Sequence, residues 1–152
     1  MNVKQLLTEK GVTYDVLEHR TTFTAQQLAE AVHVRGDDVA KTVLLKADGE
    51  FLLAVLPSTH NIDMKKAKEA VGAKEIVLAA EHEFGKLLPD CELGAVPPFG
   101  SKYGLRTLVA EPLTHDEQIV FEGNTHQEAI RMKYADFEKL EKPLVAEFTY
   151  HT

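Results

Sequence analysis

The sequence predicts a single α/β domain of the mixed α+β kind, in which a curved mixed sheet of six to seven strands carries helices on its outside. Three observations lead there. Segments with strand-like apolar patterning outnumber those with helical spacing, and the helical ones fall singly between them. Asp48-Gly49 joins two long apolar runs, a tight-turn signal that makes at least part of the sheet antiparallel. A chain of 152 residues with 44% hydrophobic content is also one ordinary domain, able to bury about two thirds of its unfolded surface.

From the N-terminus, Val3, Leu6 and Leu7 have helical spacing and Gly11 stops the segment, after which TYDVLEH (13–19) reads as a strand. Thr24 followed by Gln27 forms a capping box for a helix with Leu28, Ala31 and Val32 inward, ending near Gly36. VAKTVLLK (39–46) and EFLLAVLP (50–57) form the hairpin, which Pro57 ends. Asp63 caps a helix with Met64, Ala67 and Val71 on one face, and Gly72 terminates it. EIVLA (75–79) is a strand, and a helix over 80–88 stops before Pro89. The loop GAVPPFG (94–100) leads to strands over 106–111, 118–123 and 128–133, and a short helix marked by Ala135, Asp136, Phe137 and Leu140. No repeat or linker interrupts residues 1–152, so the whole is read as one domain, with a pocket at one end of the sheet.

Composition narrows the function. No run approaches the roughly 20 apolar residues that span a bilayer, and MNVKQLLTEKGV lacks a signal-peptide core, so a cytoplasmic location without membrane association is expected. Seventeen Lys and Arg against 24 Asp and Glu give a net charge of −7, which disfavours bulk attraction to DNA or RNA. Any polyanion must be held locally, with Lys65, Lys66, Lys68 and Lys74 as the candidate run, against the ordinary reading of a solvated helix face. The single cysteine, Cys91, can form no internal disulfide and acts as a nucleophile only with a histidine beside it.

Lys41 is the anomaly. Strand alternation puts it on a face with Val39, Val43 and Leu45, where an amine is costly unless it meets an anion, an acceptor or a wet cleft. Snorkelling from a strand end or pairing with a carboxylate is the bland alternative. The second unusual feature is Gly94 to Gly100, where Pro97 and Pro98 stiffen a turn and the glycines permit close backbone approach. Free amides at Gly94, Ala95 and Val96 are suited to an oxyanion, and a plain structural turn is the competing reading. Val96-Pro97 and Pro97-Pro98 are the bonds open to a cis form.

This lysine strand, hairpin and loop, followed by LAVLPSTHNIDMKKAKEAVGAK and the closing EGNTHQEAIRMKYADFEKL, resembles the YbaK and prolyl-tRNA editing domain family in order and over nearly the whole chain. The resemblance implies a barrel-like sheet and an aminoacyl-tRNA deacylase similar to the editing insertion of bacterial prolyl-tRNA synthetases. With no room for a synthetase core, it implies editing in trans, removing a small residue (alanine, cysteine or serine) from the acceptor end of a tRNA such as tRNA(Pro). A synthetase or elongation factor is the implied delivery partner, and no cofactor is implied.

Carried over by position, Lys41 and Gly94 are the implied catalytic residues and Pro97 the proline of the turn. Tyr14, His19, Phe23, Thr24 and Thr42, with Ala95, Val96, Pro98, Phe99 and Gly100, are the implied pocket lining. Gly123 and Asn124 close it, and His126 just beyond is a candidate for touching substrate. Two departures stand out. Ala95 replaces a second glycine and Glu122 a small hydroxyl residue of relatives, which puts the pocket's size and charge, and so its substrate, in question.

Implied, finally, is a mechanism without a covalent nucleophile, in which the substrate's own 2′-hydroxyl helps to activate water, Lys41 holds the terminal phosphate or ester carbonyl, and the loop supplies donors. No Gly-x-Ser-x-Gly or metal motif is present, and no metal site is expected. His60, His82 and His115 have acidic neighbours but read best as exposed polar turns. The rival of another class is a non-catalytic module of the same fold that binds an aminoacyl or nucleotide group. A metal-dependent hydrolase stands third.

Overall fold

The computed structural model describes residues 1–151, with helices α1 (Val3–Glu9), α2 (Ala25–Ala31), α3 (Met64–Val71), α4 (Glu81–Leu87) and α5 (Tyr134–Glu141). Its strands are β1 (Tyr14–Glu18), β2 (Ala40–Ala47), β3 (Glu50–Pro57), β4 (His60–Ile62), β5 (Ile76–Leu78), β6 (Arg106–Ala110), β7 (Gln118–Glu122), β8 (Glu128–Lys133), β9 (Leu144–Ala146) and β10 (Thr149–His151). This is a mixed α+β fold. Hydrogen bonding divides the expected six- to seven-stranded sheet into a five-stranded sheet β5-β2-β3-β6-β9, a three-stranded sheet β1-β8-β7 and a two-stranded ribbon β10-β4.

Local chemistry explains the central elements. Asp48 (φ 49°) and Gly49 (φ 83°) both lie in the left-handed region, as a two-residue turn between twisted strands requires, and β2 pairs with β3 antiparallel from Ala40–Pro57 to Ala47–Glu50. β6 then joins β3 in parallel, which makes the sheet mixed. Asp63 Oδ1 accepts from the Lys65 and Lys66 amides to start α3, and Gly72 (φ 69°) closes it. At α2, Thr24 Oγ1 accepts from Gln27 N, but the Gln27 side chain returns to Phe23 N, one residue before the reciprocal bond of a capping box.

Apolar faces fill two main cores. One lies under the three-stranded sheet, where Phe99 packs between Phe121 and Phe137 with ring centroids 6.0 and 5.3 Å away. The other collects Leu45, Leu52, Leu56, Ala67, Leu108 and Phe148 between the hairpin and α3. No helix among the described residues is long and apolar enough to cross a membrane.

Three short strands were not foreseen. β4, β9 and β10 have three residues each, too few to show a period, and all owe their existence to partners distant in sequence. His60 is accordingly a half-buried strand residue rather than part of an exposed turn. His82 lies in α4, and His115 ends a 3₁₀ turn where its Nε2 meets Glu111 Oε1.

Candidate active site

A seam between the two larger sheets makes the site. Val39 and Val120 form an isolated parallel bridge, which brings the start of β2 alongside β7, and beyond it the two strands no longer pair. Two residues further along each chain stand Lys41 and Glu122, on matching sides by strand alternation. The space between the parted strands is a cavity of about 40 Å³, lined by Thr22, Phe23, Thr24, Ala25, Leu28, Ala40, Lys41, Thr42, Gly94, Val96, Glu122 and His126.

Lys41 also borders a second, larger cleft of about 380 Å³ with Val43, Leu56, Asn61, Ile62, Met64, Leu78 and Tyr150. The lysine thus forms the wall between two hollows. Burial lowers its pKa, and among the described residues no carboxylate forms an ion pair with it. An ammonium held half out of water without a counter-ion is poised for an anionic or carbonyl oxygen from outside.

The glycine-proline loop forms the opposite rim. Gly94 (φ 84°) turns the chain inward, and Ala95 through Gly100 are buried. Phe99 anchors the loop in the core, while Gly100 N donates to Thr107 Oγ1. A Cβ at position 100 would come within 2.6 Å of that oxygen, so only glycine fits there. Glu141 of α5 fixes the far end by accepting from Ser101 N, Ser101 Oγ and Thr107 Oγ1. Of the three amides expected to be free, that of Ala95 donates to Glu92 O. Those of Gly94 and Val96 have no protein acceptor among the described residues. No peptide bond in the loop is cis.

Glu122 carries the least expected electrostatics. Its side chain is 12% exposed, with His19 Nε2 and His126 Nδ1 each 3.2 Å from its oxygens. Burial, with Glu92 nearby, raises its pKa to about 8. His126 Nε2 lies 2.6 Å from Leu93 O and His19 Nδ1 2.5 Å from Arg20 O, and since a carbonyl only accepts, both nitrogens carry hydrogen. The other nitrogen of each ring faces Glu122, whose two oxygens have no hydrogen-bond partner among the described residues. Phe23, 73% exposed, covers His126 with ring centroids 5.2 Å apart.

Of the positions named from sequence, Lys41, Thr42, Phe23, Thr24, Gly94, Val96 and His126 meet at this one cavity. Ala95, Pro97, Pro98, Phe99 and Gly100 support the rim from behind. Tyr14 stands apart, its hydroxyl bonded to Thr8 Oγ1 and donating to Lys4 O against the core. Asn124 (φ 74°) is a tie: Oδ1 accepts from Val3 N, Nδ2 donates to Met1 O, and its carbonyl accepts from Glu92 N. Gly123 N donates to Glu128 O, closing the β7–β8 turn. The sequence did not single out Thr22, Ala25 or Leu28 as lining. Thr22 and Thr42 hold buried hydroxyls with no hydrogen-bond partner among the described residues. Cys91 Sγ meets Tyr103 Oη at 3.3 Å and Asn124 Nδ2 at 3.5 Å, with no histidine among these partners.

Comparison with known proteins finds relatives of the whole fold. The family model of the aminoacyl-tRNA editing domain matches residues 19–140. The proline–tRNA ligase of Staphylococcus epidermidis is 30% identical over 79 residues, 52% of this chain but only 14% of the ligase. A crystal structure provisionally assigned as a trans-editing enzyme for prolyl-tRNA synthetase superposes with a TM-score of 0.86 at 23% identity, covering 97% of this chain and 94% of that one. A hypothetical protein superposes with a TM-score of 0.88 at 19% identity, covering 97% and 99% respectively.

Proposed function

Since the chain belongs to the aminoacyl-tRNA editing domain family, we propose that it is a trans-editing deacylase, hydrolysing the ester between a small mischarged amino acid and tRNA. Alanine, cysteine and serine are the candidate residues and tRNA(Pro) the first candidate carrier. The observation that carries this reading is the unpaired Lys41 ammonium facing the Gly94 turn across one small cavity. An inner hollow of about 40 Å³ has room for a few water-sized groups, which suits a methyl, thiol or hydroxymethyl side chain with an attacking water.

The surface outside that hollow suits the rest of the substrate. Lys41 leads from the inner cavity to the second cleft, and Met64 leads from there to a shallow concavity bordered by Lys65, Lys68 and Lys74. Exposed Leu78 and Tyr150 flank this path and offer apolar faces on which bases can stack. A single-stranded acceptor end entering this way meets local positive charge on a protein that is acidic overall.

At the reacting centre, Lys41 holds the terminal phosphate or the ester carbonyl, and the Gly94 and Val96 amides stabilise the tetrahedral oxyanion. The ester is already activated, so water aligned by the substrate's 2′-hydroxyl needs no protein nucleophile. Glu122, protonated through neutral pH, offers the amino-acid side a hydrogen-bond donor rather than a charge, and it is the residue expected to set which substrate enters.

The test is to charge tRNA(Pro) with alanine, cysteine or serine and follow ester loss with the purified protein and its Lys41→Ala variant. Rapid loss of at least one ester, abolished in the variant, supports the deacylase. Binding of the charged tRNA without ester loss supports the binding-module alternative.

A further inference from the structure

Away from the cavity, Asp37, His60 and His151 come together from three elements: a 3₁₀ turn, β4 and the C-terminal strand β10. One ligand-type atom from each lies within 4.8 Å of those of the other two. We propose that these residues form a binding site for a late first-row divalent metal of the zinc class. Two imidazoles and one carboxylate are the donors such ions prefer, and three protein ligands leave a fourth position for water.

Several features set the arrangement apart from a chance meeting of surface side chains. His60 and His151 are direct cross-strand partners in the antiparallel ribbon, so strand register fixes their spacing. Their rings stand nearly edge to face, with centroids 5.1 Å apart. His151 Nε2 is 3.7 Å from Asp37 Oδ1. His60 Nδ1 lies 2.8 Å from Thr149 Oγ1 and Asp37 Oδ1 accepts from Thr59 Oγ1, so two ligands already have the outer-shell partners that orient rings and carboxylates at metal centres.

Such an ion would join the turn at Gly36–Asp38 to both strands of a ribbon whose pairing spans only three residues. A two-stranded ribbon this short is weak alone, so a cross-strand metal would act as a clasp on the C-terminus.

The experiment is calorimetric titration of the full chain with Zn²⁺, beside thermal unfolding with and without the ion and visible absorption after Co²⁺ addition. A single saturable site, a zinc-dependent rise in the unfolding midpoint and tetrahedral cobalt bands are expected. His60→Ala and Asp37→Asn should lose all three signals while unfolding in metal-free buffer near the parental midpoint. Thr149→Val, which removes only the supporting hydroxyl, should weaken affinity roughly tenfold or more. His115→Ala serves as the control, because its side chain pairs with Glu111 elsewhere. Absence of saturable binding by the parental chain, or binding lost in His115→Ala but kept in His60→Ala, would overturn the assignment.

Discussion

On the hairpin side of the seam, β2 and β3 pair without a break, and Leu45, Leu52, Ala54 and Leu56 are buried among apolar neighbours. Across from it, the segment from Glu122 to His126, together with His19, buries a carboxyl, two imidazoles and the Asn124 amide. The first region stabilises the fold at nearly every position. The second keeps polar groups out of water at a cost that only their joint chemistry explains. Lys41 belongs to the first by sequence and to the second by character, an unpaired amine set into an apolar wall. Substitutions in the two regions should therefore separate stability from activity.

The largest separation is expected at Leu45, which is fully buried between the hairpin and α3 and lines neither hollow. Leu45→Ala should cost ~2–5 kcal/mol of unfolding free energy, with the deacylation rate of the folded fraction unchanged. Denaturant unfolding beside single-turnover kinetics checks both halves. Next comes Lys41→Ala, with the opposite signature: deacylation should fall on the order of a hundredfold, while stability holds or rises slightly as a desolvated amine is removed. A variant that matched the parental rate would remove Lys41 from the mechanism.

The same contrast governs what could be read in advance. The hairpin and α3 were legible because their signals are local: Asp48-Gly49 between apolar runs, and Asp63 with Gly72 around a short amphipathic stretch. The cluster of His19, Glu122 and His126 was not. It requires β1, β8 and β7 to pair, placing residue 19 beside residue 122, and no spacing in the chain encodes that approach. Asp37, His60 and His151 escaped for the same reason, since the β4–β10 ribbon joins segments about ninety residues apart. Glu122 was noticed only as a departure from relatives. Its proton-holding environment needed the fold.

A smaller effect tests that environment. The folded pKa of Glu122, about 8, lies above its ordinary value of 4.5, so between these pH values the folded state binds more protons than the unfolded one. Stability contributed at this position is therefore present below about pH 4.5 and lost as pH rises through 8. Glu122→Gln, which is neutral at every pH, should match the parent at acid pH and exceed it by ~1–3 kcal/mol above pH 8. Unfolding curves collected across that range decide it. An offset that stayed flat with pH would mean the carboxyl is ionised in the fold.

The smallest expected effect compares two glycines that share a backbone conformation but sit in different regions. Gly49 (φ 83°) turns the hairpin and Gly94 (φ 84°) turns the rim. A Cβ at Gly49 meets nothing within 4 Å, and one at Gly94 comes no nearer than 3.6 Å to His126 Cε1, an ordinary contact. Alanine at either position should thus cost the same ~1 kcal/mol of conformational strain, with no steric difference to separate them. If the Gly94 amide works as an oxyanion donor, relaxing that strain moves it, and deacylation by Gly94→Ala should fall about tenfold while Gly49→Ala keeps the parental rate. Equal activity losses in both would trace the effect to stability alone. An unchanged rate in Gly94→Ala would leave Lys41 without its partner across the cavity and shift the reading toward a binding module.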